Sequence, residues 1–432
     1  MTEHRATTDT SRRRALLALI AGQICLHASM AGLRMAAPLM LLRQGAGPLP
    51  AEVGAGLLLG LFAAAPVLTA MPAGRWADRR GYHKPVHAAV VLVLLGGLCA
   101  VPAAWAAGLP RALLLVLAAV LAGMGANVGL ITIQRTAGRL ASASAEPGQP
   151  PDHDSRGAEL KKVFSWLGLA PSLSNVIGPM LAGVLIDLGG FGTTYAVLAA
   201  LPLVTLLCAR QVPREVPAAP SSSSSAQPRS AAGSVRELLA VPGMRRLLAI
   251  NWFFSSSWDL HSFLVPLLGH ELNLAASVIG SVLGVFSLAV TGVRLLIPLL
   301  AERLKEQQVL TGAMLIVAAA FAIYPAAHSA PAMMACAVLL GLALGSVQPM
   351  IMTSLHHIAP PARQGEAIAL RSAVINLSSA VLPLGFGLLG GALGAAGLFR
   401  VMALLLLAGM ALPARLKTGD LVTTAAVRRS PR

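Results

Sequence analysis

Among the 17 acidic residues of this 432-residue chain, Asp259 alone falls near the centre of a long apolar stretch. It sits in the run Trp252-Phe253-Phe254-Ser255-Ser256-Ser257-Trp258-Asp259-Leu260-His261. A carboxyl group in apolar surroundings holds a proton that water or a basic neighbour would take from it, so such a residue can load and release a proton as its environment changes. Trp252 and Trp258, with the serines between them, have the character of a pocket wall for an aromatic or amphipathic solute. A second reading also stands: Asp259 forms a structural ion pair, with Arg34 or His261 as the cation.

Other groups that hydrocarbon disfavours are spread through the apolar stretches. His27 and Arg34 lie about two turns apart in the first of them, and Arg34 either meets an anionic group, pairs with an acid, or snorkels to the nearer interface. Arg294 suits a gate salt bridge or snorkelling. Asn127, Gln348, Arg371 and Asn376 add hydrogen-bonding groups that can face a cavity. Glu146, Asp152, His153, Asp154 and Glu159 form an acidic polar stretch without helical ligand spacing, so no metal is expected there. Cys25, Cys99, Cys208 and Cys336 stand singly in different apolar stretches, which argues against disulfide or metal sites. No nucleotide-binding loop, nucleophile elbow or metal pair is visible, so neither an enzyme nor a cofactor is expected.

The elements that position these residues follow from composition. With 56% hydrophobic and 12% charged residues and a mean hydropathy of +0.73, the chain is a polytopic membrane protein. Runs of about 20 apolar residues, the length that crosses a bilayer core, occur near 15–41, 53–73, 86–107, 112–133, 163–186, 193–209, 247–268, 275–299, 309–327, 331–354, 366–391 and 396–413. These predict twelve helices. The net charge of +16 is a topology signal rather than a sign of nucleic-acid binding, because 27 of the 33 Lys and Arg fall in the tails and alternate turns. Both termini are accordingly expected in the cytoplasm of a protein of the inner (plasma) membrane.

Gly74-Arg75-Trp76-Ala77-Asp78-Arg79-Arg80-Gly81-Tyr82-His83-Lys84 is a charged, glycine-bounded turn between the second and third apolar runs. The pattern resembles the loop signature of the major facilitator superfamily. The resemblance implies that Asp78, helped by Arg79, pairs with or caps neighbouring helices across a gate, with Gly74, Gly81 and Lys84 as part of the signature. Further along, Ser174-Asn175-Val176-Ile177-Gly178-Pro179-Met180-Leu181-Ala182-Gly183 resembles the family's antiporter signature, with Ser174 and Ala182 in place of two glycines. Gly178, Pro179 and Gly183 there imply close helix packing. The arginine that proton-exchanging drug exporters carry in the fourth helix is absent; Ala119 occupies its place.

The halves of the chain also repeat. Gly56, Gly60, Phe62, Ala77, Asp78 and Arg79 recur at a constant offset as Gly280, Gly284, Phe286, Ala301, Glu302 and Arg303, which marks Glu302 and Arg303 as a degenerate second gate. The expected architecture is all-α, with two pseudo-symmetric six-helix bundles: residues 1–210, a linker at 211–246 with a five-serine run and a short interfacial helix, and residues 247–432. The function these features point to is alternating-access transport of a small organic solute, with proton-coupled efflux as the sharper form, by a monomer embedded in the lipid bilayer. Uptake of an organic anion, using Arg34, Arg294 and Arg371 as counter-charges, and a non-transporting membrane sensor are the alternatives.

Overall fold

A computed structural model describes residues 2–45, 47–142, 153–214, 235–300, 305–360 and 363–416. The linker serines Ser221–Ser225, the acidic Glu146 and Asp152, and the repeat residues Glu302 and Arg303 lie outside the described residues. The described chain is helical almost throughout: α1 (Thr2–Gln44), α2 (Ala51–Arg80), α3 (His83–Ala103), α4 (Gly108–Ser142), α5 (His153–Ala200), α6 (Pro202–Ala209), α7 (Val235–Ala240), α8 (Met244–Glu271), α9 (Ala276–Leu300), α10 (Glu306–Ile323), α11 (Ala330–Ile358), α12 (Gln364–Gly409) and α13 (Ala411–Ala414).

Among the described residues, nine helices have the length and hydropathy to cross a membrane. Two of these hold two passes each. α5 is broken at Gly190 (φ 73°, ψ −179°) and α12 at Gly394 (φ 65°, ψ 175°), so each consists of two helices joined through one residue. That backbone conformation is closed to side chains with a Cβ, which is why glycine stands at both points. α8 is long enough to span, but Asn251, Ser255, Ser256, Ser257, Asp259 and His261 interrupt its apolar run. Counting it with the divided α5 and α12 gives the twelve passes that the apolar runs predict.

The chain divides into two compact units, residues 1–220 with 269–284, and residues 221–268 with 285–432. In the first, α1 lies against α5 and α6. Hydroxyl groups tie them: Ser29 donates to the Leu198 carbonyl (2.6 Å), Thr205 to that of Gly22 (2.9 Å) and Ser174 to that of Ile24 (3.1 Å). The approach is so close that a Cβ on Gly178 would stand 2.5 Å from the Ala28 carbonyl oxygen and 2.8 Å from the Gly32 nitrogen. Small residues thus set the α1–α5 spacing, as they do generally where helices pack in lipid. Leu19, Tyr82, Val86, Ile133 and Ala137 form one apolar cluster, and Leu26, Ala73, Ala89, Val90, Val93 and Val128 another.

The second unit is held by aromatic contacts. Tyr324 stacks on Phe399 at 4.6 Å, and Phe321 lies 5.6 Å from the same ring. α7 is anchored by its acid: Arg363 donates to both Glu237 (3.2 Å) and Glu366 (2.6 Å).

Replacing Gly178 by leucine forces α1 and α5 apart. Overpacking of this kind costs about 1–3 kcal/mol or more, so the Gly178→Leu protein is expected to show a clearly lower melting temperature in detergent than the unaltered chain. Gly292→Leu, at a glycine whose Cβ would meet nothing within 4 Å, is the control that leaves it unchanged.

Candidate functional site

The polar groups of the second unit gather on the seam between α8 and α12. Asp259 is 3% exposed, and Ser379 Oγ donates to its Oδ2 at 2.8 Å. Two turns away along α8, Asn251 Oδ1 accepts a bond from Arg371 Nε at 3.0 Å, and both side chains are buried. Between these pairs, Ser256 and Ser378 approach to 3.4 Å. The residues of α8 at positions 251, 256 and 259 therefore meet 371, 378 and 379 of α12 in parallel order, making a largely buried polar strip of three pairs.

His261 points elsewhere. Its Nε2 lies 3.1 Å from the Tyr324 hydroxyl, which is also 3.3 Å from the Met333 carbonyl, and its ring packs at 4.4 Å on Phe286. Trp258 meets the other side of this cluster, edge-on to Phe286 at 4.8 Å. Trp252 is 37% exposed and contacts Phe253. Asp259 and His261, two residues apart, thus serve different faces of α8. Arg294 on α9 donates to Gln348 of α11 at 2.9 Å, and Asn376 is exposed.

In the first unit the signature acid Asp78 is 71% exposed and accepts from Arg135 of α4 at 2.6 Å. Gly81 (φ 70°) ends α2, its N–H bonding the Ala77 carbonyl at 2.9 Å, while Arg79 and Lys84 are exposed. Gly74 has open space around it. Asn127 bonds the Pro66 carbonyl at 2.9 Å and sits 3.3 Å from Thr69, so it braces α2 at its proline. His27 and Arg34 lie on α1; His27 Nδ1 is buried without a hydrogen-bond partner among the described residues, as are both amide atoms of Gln23 one turn earlier.

A further acid acts at a helix end. Asp187, near the bend of α5, accepts from the backbone N–H groups of Ala276 (2.9 Å) and Ser277 (2.7 Å), the first residues of α9. Arg43 donates to the Leu274 carbonyl just before them at 2.8 Å. A carboxylate at a helix N-terminus satisfies orphan donors and opposes the helix dipole. Pro179 and Gly183 of the antiporter-like signature lie against the same stretch of α9, at Gly280 and at Ala276–Ser277 respectively.

Ser379, Asn251, Tyr324, Arg135, Asp187 and Gln23 are functional candidates that sequence reasoning missed. Asp187 carried a readable signal, an acid in the last turn before a Gly-Gly pair. Ser379, Asn251, Tyr324 and Arg135 are ordinary polar residues whose partners lie far away in sequence, and Gln23 shows only in its burial without a partner among the described residues.

A family profile for the Major Facilitator Superfamily matches residues 19–258 and 247–430. The chain belongs to this superfamily. Its fold is accordingly that of twelve membrane helices in two six-helix bundles, and it is a transporter rather than an enzyme. No curated protein matches the sequence. Among solved structures, a POT family transporter in complex with 5-aminolevulinic acid is 15% identical, with a TM-score of 0.70 over 92% of this chain and 95% of that one. A D-xylose-proton symporter is 12% identical, with a TM-score of 0.70 over 94% and 98%. A bacterial homolog of the human lysosomal transporter Spinster, in an inward-facing and unoccupied conformation, is 16% identical, with a TM-score of 0.63 over 96% and 94%. At these identities the likeness is one of fold.

Two measurements check the geometry of this superfamily member. An exposed ion pair is worth about 0–1 kcal/mol, so a double-mutant cycle of Asp78→Asn and Arg135→Gln should give a coupling in that range, shrinking as salt is raised. Loss of an N-terminal cap costs about 0.5–2 kcal/mol; Asp187→Ala should therefore speed amide hydrogen exchange at Ala276 and Ser277 while leaving α3 and α4 unchanged.

Proposed function

We propose that the chain is a proton-coupled exporter of a small organic solute, lying in the inner (plasma) membrane with both termini in the cytoplasm. The observation that carries this reading is Asp259: an acid, 3% exposed, set in a polar strip with a neutral hydroxyl donor, Ser379. Such a carboxyl is suited to exchange a proton when its cavity opens, because a small change in hydration or in the Ser379 contact alters the balance between its two forms. Export in preference to import is supported by the fifth-helix resemblance, in which Pro179 and Gly183 hold α5 against the start of α9. Asp78 with Arg135, and Arg294 with Gln348, serve as gate contacts in this reading. The working division is residues 1–210, 211–246 and 247–432, acting as a monomer.

A second reading, uptake of an organic anion, is favoured by a specific feature. The hydrogen bonds of Arg371 and Arg294 go to the neutral amides of Asn251 and Gln348, which leaves their charge uncancelled by those partners.

Internal pH in proteoliposomes holding the full chain separates these readings. With a panel of drug-like cations, neutral solutes and organic anions, export coupling predicts a solute-dependent proton flux that Asp259→Asn abolishes and Ser379→Ala weakens, in protein that still elutes as a single species. Flux unaffected by Asp259→Asn refutes the coupling role. Flux seen only with anions and lost in Arg371→Gln selects the uptake reading.

A further inference from the structure

Gln23 is 0% exposed, and neither its Oε1 nor its Nε2 has a hydrogen-bond partner among the described residues. One helical turn later His27 presents a buried Nδ1 in the same condition. Residues four apart share a helix face, and Arg34, seven beyond His27, continues that stripe. The rest of α1 in this region behaves differently. Its bonds to neighbouring helices, through Ser29 and through the Gly22 and Ile24 carbonyls, all run to α5 and α6 and are satisfied there. Those helices thus engage the Gly22 and Ile24 carbonyls and the Ser29 hydroxyl, whereas no such bond reaches the Gln23 amide or His27 Nδ1 among the described residues. Buried polar atoms in native proteins nearly always find partners, and exceptions cluster where a ligand or water completes the set. An apolar residue of similar size, such as methionine, would fill the position of Gln23 without this deficit, so packing does not account for the amide.

We propose that Gln23 and His27 form a docking subsite for a neutral group that donates and accepts hydrogen bonds together, a hydroxyl or a carboxamide, on the transported solute. The carboxamide of Gln23 offers one acceptor and two donors in a plane, which matches such a group in paired bonds. His27, one turn away, adds a nitrogen whose role follows its tautomer. The subsite selects for hydrogen-bonding solutes, because a solute without such a group leaves these atoms unpaired. This inference rests on the transporter reading and deepens it; the test below is arranged so that the two fail separately.

The experiment measures melting temperature of the purified full chain in detergent as each probe is titrated. The probes are D-xylose, rich in hydroxyls, N-acetylglycinamide, a neutral diamide, and tetraethylammonium, which has no hydrogen-bonding group. At least one neutral probe is expected to raise the melting temperature of the unaltered chain, with no rise from tetraethylammonium. In Gln23→Met the probe-free melting temperature should be equal or higher, while apparent affinity for the neutral probe falls roughly tenfold or more, the loss of about one good hydrogen bond. His27→Leu should weaken it in the same direction. Proton coupling is read separately, as flux in proteoliposomes, and probe binding here as a melting shift in detergent, so a failure of the coupling reading and a failure of the subsite remain distinct results. A probe-free melting temperature that drops in Gln23→Met would assign Gln23 to structure, completed by an internal water, and overturn the proposal. Unchanged affinity in that variant, or no shift from either neutral probe with the unaltered chain, overturns it as well.

Discussion

A hydrocarbon core offers no water to hydrogen-bond, so each polar group carried into it has to be satisfied by the protein. The rest of this structure follows from that constraint. Most hydroxyls meet it locally: Thr132, Ser257 and Thr291 each bond the carbonyl four residues back on their own helix. Others meet it by joining helices, as Ser29 and Thr205 do for α1 with α5 and α6. Beyond these stands a short set of amide, imidazole, guanidinium and carboxyl groups within the apolar helices. Asp259, Arg371, Asn251, His261, Gln23 and His27 belong to it, and they fall on α8, α12 and α1.

The helical passes were legible because a spanning helix requires an apolar run of fixed length, and the runs around 53–73 or 331–354 satisfy it without ambiguity. The joins inside α5 and α12 were less so; apolar pattern locates a turn but does not reveal that one glycine in an extended left-handed conformation makes it. Side-chain pairing was harder still. A helix such as α12 is apolar nearly all round, so periodicity gives no rotation about its axis, and Ser379 carries no mark that distinguishes it from Ser372 or Ser378. Asp259 stood out on its own merits, while its partner did not. Asn127 shows the converse case, a residue conspicuous in the sequence whose bond to the Pro66 carbonyl ties α4 to α2. The two glycine signals converged unexpectedly: Gly280, noticed as part of the repeat, lies against the carbonyl of Pro179, noticed as part of the antiporter-like signature.

Acids in this chain divide by the medium around them. Asp78 is largely solvated, so its pairing with Arg135 is screened by salt and readily broken and remade. Asp187 uses both oxygens on backbone donors, a geometry that holds one helix start in place. Asp259 is withdrawn from water, where any change in ionisation alters the whole neighbourhood. The same functional group thus meets three settings: a solvated pairing with Arg135, a cap on two backbone N–H groups, and a buried contact with Ser379.

The single-residue joins at Gly190 and Gly394 also bear on how the molecule can be handled. Two helices that meet through one glycine with a positive φ leave little slack in which an inserted epitope or fluorescent domain would be tolerated. Inserted labels and affinity handles therefore belong at other turns.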